Sequence, residues 1–478
     1  MSATRSLDSL SASPQLQPAA TAQCDFAHSR GGKAVARNYV GAGILEWASL
    51  MLLVVLGSVV RVAAVFQHNP LDIQTTDPGR WWFTATHLST LQPIAAIDPF
   101  GYQLWLGIVA GFSNSSPLAI ALHNAALSVL TPWIWHRVLR EITGNRDIAL
   151  VGWAIFCGLP SWISIFSYTM SETLFLPAIG LAIWLSVRFY RTQSNGACYA
   201  SALAWALASA TRIYALPFAV VFLVWSIHKS SQKWMKAGQV LAAFALFVAP
   251  LSLRAHCLLH VWHPFGFPEM NQIYMESGKR TLRLDISRNG GSYHWFYEFG
   301  SPALYEEPLH PVSHWRSPRE GVVQISIDED RGVADWDRAL KANRTSWRQR
   351  LRLWAENCVF FSFAPSWPDN SPDRLWDRTA VSTRWIWTPI ALVVIFGNLY
   401  YGKQLGWTAA GVFAILTTVA WTFTPLLPAI MEGRYRKPVE GLLLVNLLLL
   451  IACRRNTRAP QEVQSNYTLP EVLVTAND

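Results

Sequence analysis

Apolar stretches of about 20 residues recur along most of this chain. Its 478 residues are 51% hydrophobic and only 14% charged, and they include 24 tryptophans. A helix needs about 20 mostly apolar residues to cross a bilayer, because no water in the hydrocarbon can satisfy free backbone groups. The sequence therefore predicts an all-α polytopic membrane protein with about ten transmembrane helices. These are expected near 43–66, 117–136, 148–163, 170–187, 197–210, 213–227, 237–254, 385–401, 405–423 and 438–453.

Lysine and arginine are concentrated in alternate turns between these predicted helices. Positive residues of short loops face the cytoplasm, and a path that starts inside makes every inner turn basic. The formal charge of +9 follows from this distribution, so nucleic acid is not a predicted partner. The inner basic residues are Arg137, Arg140, Arg146, Arg188, Arg191, Lys229, Lys233, Lys236, Lys403, Arg454, Arg455 and Arg458.

The same path divides the chain into five segments. The first outer loop is expected to hold interfacial helices, one starting at Asp77-Pro78 and one in the short apolar run FGYQLWLGIVAGF. The segments are a disordered cytosolic tail (1–42), an N-terminal transmembrane module (43–254) with first outer loop 67–116, a polar external segment (255–384), C-terminal transmembrane helices (385–453) and a cytosolic tail (454–478).

Arginines on the outer side contradict the usual charge bias. Arg212 lies in an outer break, and the outer turn 432–437 contains Arg434 and Arg436. An anionic ligand such as a lipid phosphate or pyrophosphate would favour them, since arginine offers a bidentate, permanently charged fork. The alternative is that these side chains reach lipid headgroups or pair with acidic neighbours such as Glu440.

Acidic residues on that side are candidates for a general base. Asp77 precedes a proline and a helix, so it is either a catalytic carboxylate or an N-cap, and one residue can serve as both. Asp72 and Asp98 are expected to be solvated loop residues. Glu172 begins an apolar helix, where it either complements the helix dipole or belongs to a site. Arg61 near the outer end of the first helix either lines the same cavity or snorkels.

Several kinds of chemistry have no signature in the sequence. There is no Walker loop, no dinucleotide GxGxxG, no HExxH and no metal-binding cysteine spacing. No metal ligands and no certain cofactor are predicted, although a divalent cation is left open. A disulfide between Cys257 and Cys358 is chemically permitted on the outer side.

The chain resembles the GT-C superfamily of membrane glycosyltransferases, the group of protein O-mannosyltransferases and lipid A aminoarabinose transferases. The resemblance covers roughly residues 43–255 and 385–453, and it is carried by weak motifs in a fixed order. The motifs are DPGRWWFTAT with Asp77, DPFGYQLWLG with Asp98, LPSWISIFSYTMSETLFL with Glu172, ASATRIYALP with Arg212 and GRYRKP with Arg434 and Tyr435.

This resemblance implies transfer of a sugar, with inversion, from a polyprenyl-phosphate carrier to an acceptor on the non-cytoplasmic face. It implies that Asp77 is the base and that Arg212 and Arg434 hold the donor phosphate, with Arg436 as a further candidate. The family often has paired acids in this loop, whereas Pro78 follows Asp77 here, so Asp72 remains a rival base. The implied supporting residues are Glu172, Tyr435 and Arg61.

Two other functions fit parts of the pattern. A glycan polymerase or ligase would use a pyrophosphate-linked glycan, and a transporter would show inverted repeats and charges at the midplane. The external segment leaves the acceptor open between glycan, lipid and protein. Membrane lipids are expected partners, and the expected location is a bacterial inner membrane with the active site facing the periplasm.

Overall fold

The structure is a computed structural model, and it describes residues 40–73, 76–89, 100–259, 262, 264–265, 281–288, 291–297, 322–328, 338, 346–426 and 433–465. Most of the described chain is helical. The N-terminal helices are α1 (Val40–Gln67), α2 (Thr76–Thr86), α3 (Phe100–Phe112), α4 (Pro117–Thr143), α5 (Arg146–Cys157), α6 (Pro160–Ser164), α7 (Glu172–Thr192), α8 (Asn195–Thr211), α9 (Ala215–His228) and α10 (Lys233–Leu259). The later helices are α11 (Trp347–Phe363), α12 (Leu375–Thr383), α13 (Trp387–Leu405), α14 (Ala409–Phe423) and α15 (Lys437–Ser465).

Local sequence signals explain several helix ends. Pro117 occupies the first turn of α4, and Gly144 ends it with a φ of 65°, a value that suits glycine. Asn145 then caps α5 by accepting hydrogen bonds from the backbone N–H groups of Asp147 and Ile148, at 2.9 and 3.0 Å. Short polar connections of this kind fold neighbouring helices back on each other.

The described residues contain six helices that are long and apolar enough to cross a membrane, or seven if α5 and α6, bent by 57°, form one span. The prediction of about ten spans is therefore not confirmed, although a helix or helix pair lies at every predicted position. The predicted spans α8 and α9 are separate helices as expected, but both fall outside this set, α9 being a shorter apolar helix, and α15 falls outside it as well. The span predicted from residue 385 begins earlier, at Leu375.

The basic turns lie together at one end of the bundle. Arg191, after α7, forms an ion pair with Glu141 near the end of α4. Gln193 donates to the carbonyl of Ser226 at the end of α9, at 3.1 Å. Trp225 of α9 donates to the carbonyl of Trp407, at 3.2 Å, between α13 and α14. These contacts link the turns that the charge bias had assigned to one side.

A core of large aromatic side chains fixes the start of α15. Trp135 of α4 and Trp162 of α6 are fully buried with ring centroids 5.5 Å apart. The indole N–H of Trp162 donates to the carbonyl of Lys437, at 3.0 Å. At Gly441 a Cβ atom would lie 2.7 Å from the Trp162 ring, so the close approach of α15 to α6 requires a glycine.

The two helices predicted for the first outer loop are both present. Helix α3 is packed into the protein: Phe100, Tyr102 and Leu106 are fully buried. A Cβ atom at Gly101 would lie 2.6 Å from the carbonyl oxygen of Ala210 in α8, so α3 lies tightly against that helix.

The external segment contains a feature that the all-α prediction did not include. Strands β1 (Thr281–Arg288), β2 (Gly291–Tyr297) and β3 (Val322–Asp328) form a sheet in the order β2-β1-β3. The β1–β2 pair is antiparallel, with Asp285 opposite His294, and the β1–β3 pair is parallel. The all-α class is thus confirmed for the membrane helices, with a small sheet in the segment between them.

Candidate functional site

Asp77 lies in the first turn of α2, and each of its carboxylate oxygens meets a different arginine. Oδ1 is 2.8 Å from a guanidinium nitrogen of Arg80, one turn further along the same helix. Oδ2 accepts a hydrogen bond from Arg434. All three side chains are largely buried. The N-cap alternative for Asp77 does not account for these ion pairs, which bind the side chain to two guanidinium groups.

Arg434 is carried by a short 3₁₀ turn, Gly433–Arg436, that is pressed against the chain before α12. The N–H of Gly433 donates to the carbonyl of Pro365, at 3.0 Å. A Cβ atom at Gly433 would lie 2.2 Å from the carbonyl oxygen of Ala364, so this approach also requires a glycine. The position of Arg434 is therefore set by the end of the external segment.

Arg212 and Glu172 form a second ion pair in the same region. Glu172 begins α7 and is 1% exposed, while Arg212 stands at the extended break after α8, where its N–H donates to the carbonyl of Ala208, at 2.8 Å. The break turns the Arg212 side chain out of the helix and towards the acid. Glu172 thus has a buried cationic partner as well as a place in a helix first turn.

Tyr435 joins the two ion pairs into one cluster. Its ring centroid lies 5.6 Å from the guanidinium carbon of Arg212 and 5.5 Å from that of Arg434. Cation–π attraction holds both arginines beside the same ring. Residues 77, 172, 212, 434 and 435, singled out separately along the sequence, are thus neighbours in space.

The electrostatics of this cluster keep Asp77 ionised. Burial alone would raise the pKa of Asp77, but the positive charges of Arg434, Arg80 and Arg212 outweigh it and hold that pKa well below its usual range. The Asp77 carboxylate is consequently charged at any ordinary pH.

Three predicted site residues lie elsewhere. Asp72 is exposed, and its N–H donates to the carbonyl of Asn69 at 2.9 Å. Arg61 is completely buried and donates to backbone carbonyls of α4 to α6. Arg436 is buried beside Glu440, at 3.1 Å, and donates to the carbonyl of Phe361 at 2.7 Å. Arg61 and Arg436 therefore hold helices together, and a donor-phosphate role for Arg436 has no support in these contacts.

Sequence reasoning missed a second buried network next to the cluster. Asp369 is fully buried and accepts hydrogen bonds from Ser164 and Lys437, each at 2.5 Å. Ser161 donates to Glu440, at 2.5 Å, from the neighbouring turn. These bonds fasten the loop before α12 to α6 and α15. The only sequence signal was an acid within a proline-rich stretch, in a segment whose composition indicated exposure.

Arg80 was missed as well, because its place in an amphipathic helix indicated only contact with headgroups. In α4, Asn124 donates to the carbonyls of Phe166 and Tyr168, at 3.0 and 3.1 Å, and thereby joins α4 to the chain before α7. Asp98 and Glu432 lie outside the described residues.

Within the described part of the chain, no group of three or more histidine, cysteine or acidic residues is arranged to hold a metal ion. The divalent cation left open by the sequence therefore has no assigned ligands. Cys257 and Cys358 are both free, so the permitted disulfide is not formed.

Comparison with known families agrees with this geometry. Residues 98–252 match the family model of dolichyl-phosphate-mannose-protein mannosyltransferases. The matched segment contains Glu172 and Arg212, whereas Asp77 and Arg434 lie outside it. No curated protein matches the chain significantly. The match confirms the resemblance to the GT-C superfamily and implies glycosyltransferase activity in general, so this chain is an integral membrane protein similar to the membrane glycosyltransferases.

Proposed function

We propose that this protein is an inverting glycosyltransferase that moves a sugar from a polyprenyl-phosphate carrier to an acceptor hydroxyl on the non-cytoplasmic face of a membrane. The observation that carries the proposal is the contact of Asp77 with Arg434, beside the Arg212–Glu172 pair. The contacts bring one carboxylate and two arginines together. Transfer requires this, because the base and the phosphate site must lie no further apart than the length of one sugar.

The chemistry needs few groups. Asp77 takes the proton of the acceptor hydroxyl as its oxygen forms a bond to the anomeric carbon. The bond between that carbon and the phosphate oxygen breaks, the electron pair leaves with the polyprenyl phosphate, and the anomeric configuration inverts. Arg434 and Arg212 stabilise the charge that develops on the departing phosphate, which is worth most in a water-poor cleft.

The charge of the cluster favours a monophosphate donor. Its described members carry two carboxylates and three guanidinium groups, which leaves one excess positive charge. A sugar phosphodiester carries one negative charge and neutralises it. After transfer Asp77 holds a proton and the phosphate monoester carries about two negative charges, so the site stays near neutral. A pyrophosphate-linked glycan would leave a buried excess negative charge, which disfavours the polymerase or ligase alternative.

Sidedness follows from the two ends of the bundle. The end with the basic turns faces the cytoplasm, as the charge bias requires, and the cluster then faces the opposite side. A bacterial inner membrane, with the site open to the periplasm, is the proposed location. The described contacts supply no midplane charge pathway of the kind that a transporter needs.

The test is mass spectrometry of lipids and surface glycans from cells with the wild-type protein, without it, or with Asp77→Asn. Loss of activity should leave a glycan, lipid or protein short of one sugar and raise the matching polyprenyl-phosphate sugar. Asp72→Asn is the matched control, because it removes an exposed acid from the same loop, and it should behave as wild type. Accumulation of complete pyrophosphate-linked units would establish the polymerase or ligase function instead.

A further inference from the structure

Both oxygens of the Asp77 carboxylate are engaged by guanidinium groups. Arg80 contacts Oδ1 and Arg434 contacts Oδ2. A general base needs an oxygen within hydrogen-bond reach of the acceptor hydroxyl, and a carboxylate that neutralises two cations has a weakened affinity for a proton. In this structure Asp77 is therefore not available to accept a proton from an acceptor hydroxyl.

The two arginines are attached to the protein differently. Arg80 belongs to the same helix as Asp77, one turn along, and its guanidinium carbon lies 5.9 Å from the centroid of the adjacent Trp81 ring. Because both residues belong to α2, any shift of this helix moves Arg80 and Asp77 together. Arg434 comes from a separate turn and shares the Tyr435 ring with Arg212. A phosphate bound between Arg434 and Arg212 would draw Arg434 away from Asp77 and leave Arg80 in place.

We propose that the donor phosphate competes with Asp77 for Arg434, so that donor binding releases Oδ2 as the base while Arg80 remains as a positioning residue that keeps Asp77 in place. This inference rests on the proposed function and adds to it a mechanism of control. The base therefore becomes available only when the sugar donor is bound.

The competition can be measured as binding, without knowing the sugar or the acceptor. The probe is farnesyl phosphate, a short polyprenyl monophosphate, titrated into the purified full-length protein in detergent. Asp77→Asn removes the competitor, so it should bind the probe about tenfold more tightly than wild type, the effect of one charge-assisted hydrogen bond.

Removing the negative charge of Asp77 also strengthens phosphate binding through general electrostatics, so a double-mutant cycle separates competition from that effect. In an Arg434→Gln background, where there is no arginine to release, Asp77→Asn should change the dissociation constant by less than about twofold. Asp72→Asn is the control for a distant charge and should bind as wild type. An equal tightening by Asp77→Asn in both backgrounds would overturn the competition.

The role of Arg80 is tested by its effect on catalysis. Arg80→Gln should lower kcat with little change in donor KM, and it should move the acid limb of the kcat profile to higher pH because Asp77 loses the cation that contacts Oδ1. Arg80→Lys should restore much of both. An unchanged pH profile in Arg80→Gln would refute the positioning role.

The outcomes distinguish this inference from the proposed function. If the wild-type protein does not bind farnesyl phosphate, the proposed donor class is wrong. If it binds the probe but Asp77→Asn binds no more tightly, the donor site stands and the competition for Arg434 is wrong.

Discussion

Replacing Arg61 with methionine should destabilise the protein without changing its chemistry. The guanidinium group is fully buried in α1 and donates to the carbonyls of Phe156 (2.5 Å), Cys157 (3.0 Å), Ser128 (3.1 Å) and Trp162 (3.3 Å). Arg61→Met keeps most of the side-chain volume and removes every one of these donors.

Two of those carbonyls need Arg61 because helix breaks deprive them of a helical partner. Pro132 lies one turn after Ser128 in α4 and has no N–H to donate to it. Cys157 is the last residue of α5, where carbonyls are left without helical donors, whereas the carbonyl of Phe156 also accepts from the N–H of Leu159, at 3.4 Å. Each unsatisfied buried carbonyl costs about 1–3 kcal/mol, and avoiding burial of the guanidinium recovers part of that sum. We expect a net loss of about 3 kcal/mol.

The assay is thermal unfolding of the detergent-solubilised protein, followed by tryptophan fluorescence. Arg61→Met should lower the melting temperature by several degrees, while Arg188→Met, the same change at an exposed position, should leave it unchanged. Sugar transfer per folded molecule should remain at the wild-type level. An unchanged melting temperature together with lost transfer would refute this reasoning and return Arg61 to the active site.

Four further predictions concern the cluster. Asp77→Asn should reduce transfer at least a thousandfold at unchanged protein level, which corresponds to a loss of about 4 kcal/mol in transition-state stabilisation. Transfer is measured in membranes with radiolabelled donor, and Asp72→Asn should retain it. Because folding lowers the pKa of Asp77, its ion pairs stabilise the protein above about pH 4. That stability is lost as the pH falls through the pKa of the folded state. The melting temperatures of wild type and Asp77→Asn should therefore converge in acid. Glu172→Gln should weaken donor use by about tenfold, read as donor KM, because Arg212 loses the partner that orients it. Gly433→Ala should lower both melting temperature and activity by displacing the turn that carries Arg434 from the carbonyl of Ala364.

The members of the cluster could be predicted from the sequence because each breaks a local expectation. Charged residues at the outer ends of apolar helices are costly, so Glu172, Arg212 and Arg434 stand out in a chain that is otherwise apolar there. Their convergence could be inferred from sidedness and motif order. The partner of Asp77 within its own helix could not, since Arg80 follows the ordinary pattern of an amphipathic surface helix.

The remaining differences have tertiary causes. Composition marked the stretch around Asp369 as exposed, yet it is buried because Ser164 and Lys437 supply its hydrogen bonds from distant segments. Arg61 resembled a snorkelling side chain because its acceptors are created by breaks in other helices. The count of about ten spans is not confirmed: α8 and α9 are shorter than a full span, and α15 also falls outside the set of long apolar helices.

The two ion pairs of the cluster become possible at different stages of chain synthesis. Glu172 and Arg212 are 40 residues apart, whereas Asp77 and Arg434 are 357 residues apart. Domains fold from the N-terminus during synthesis, so the first pair can form while translation is still under way, and the second waits for the turn that carries Arg434. A nascent or truncated chain that stops before Arg434 contains both residues of the first pair but leaves Asp77 without this partner. The proposed transfer activity therefore requires synthesis to extend at least to Arg434.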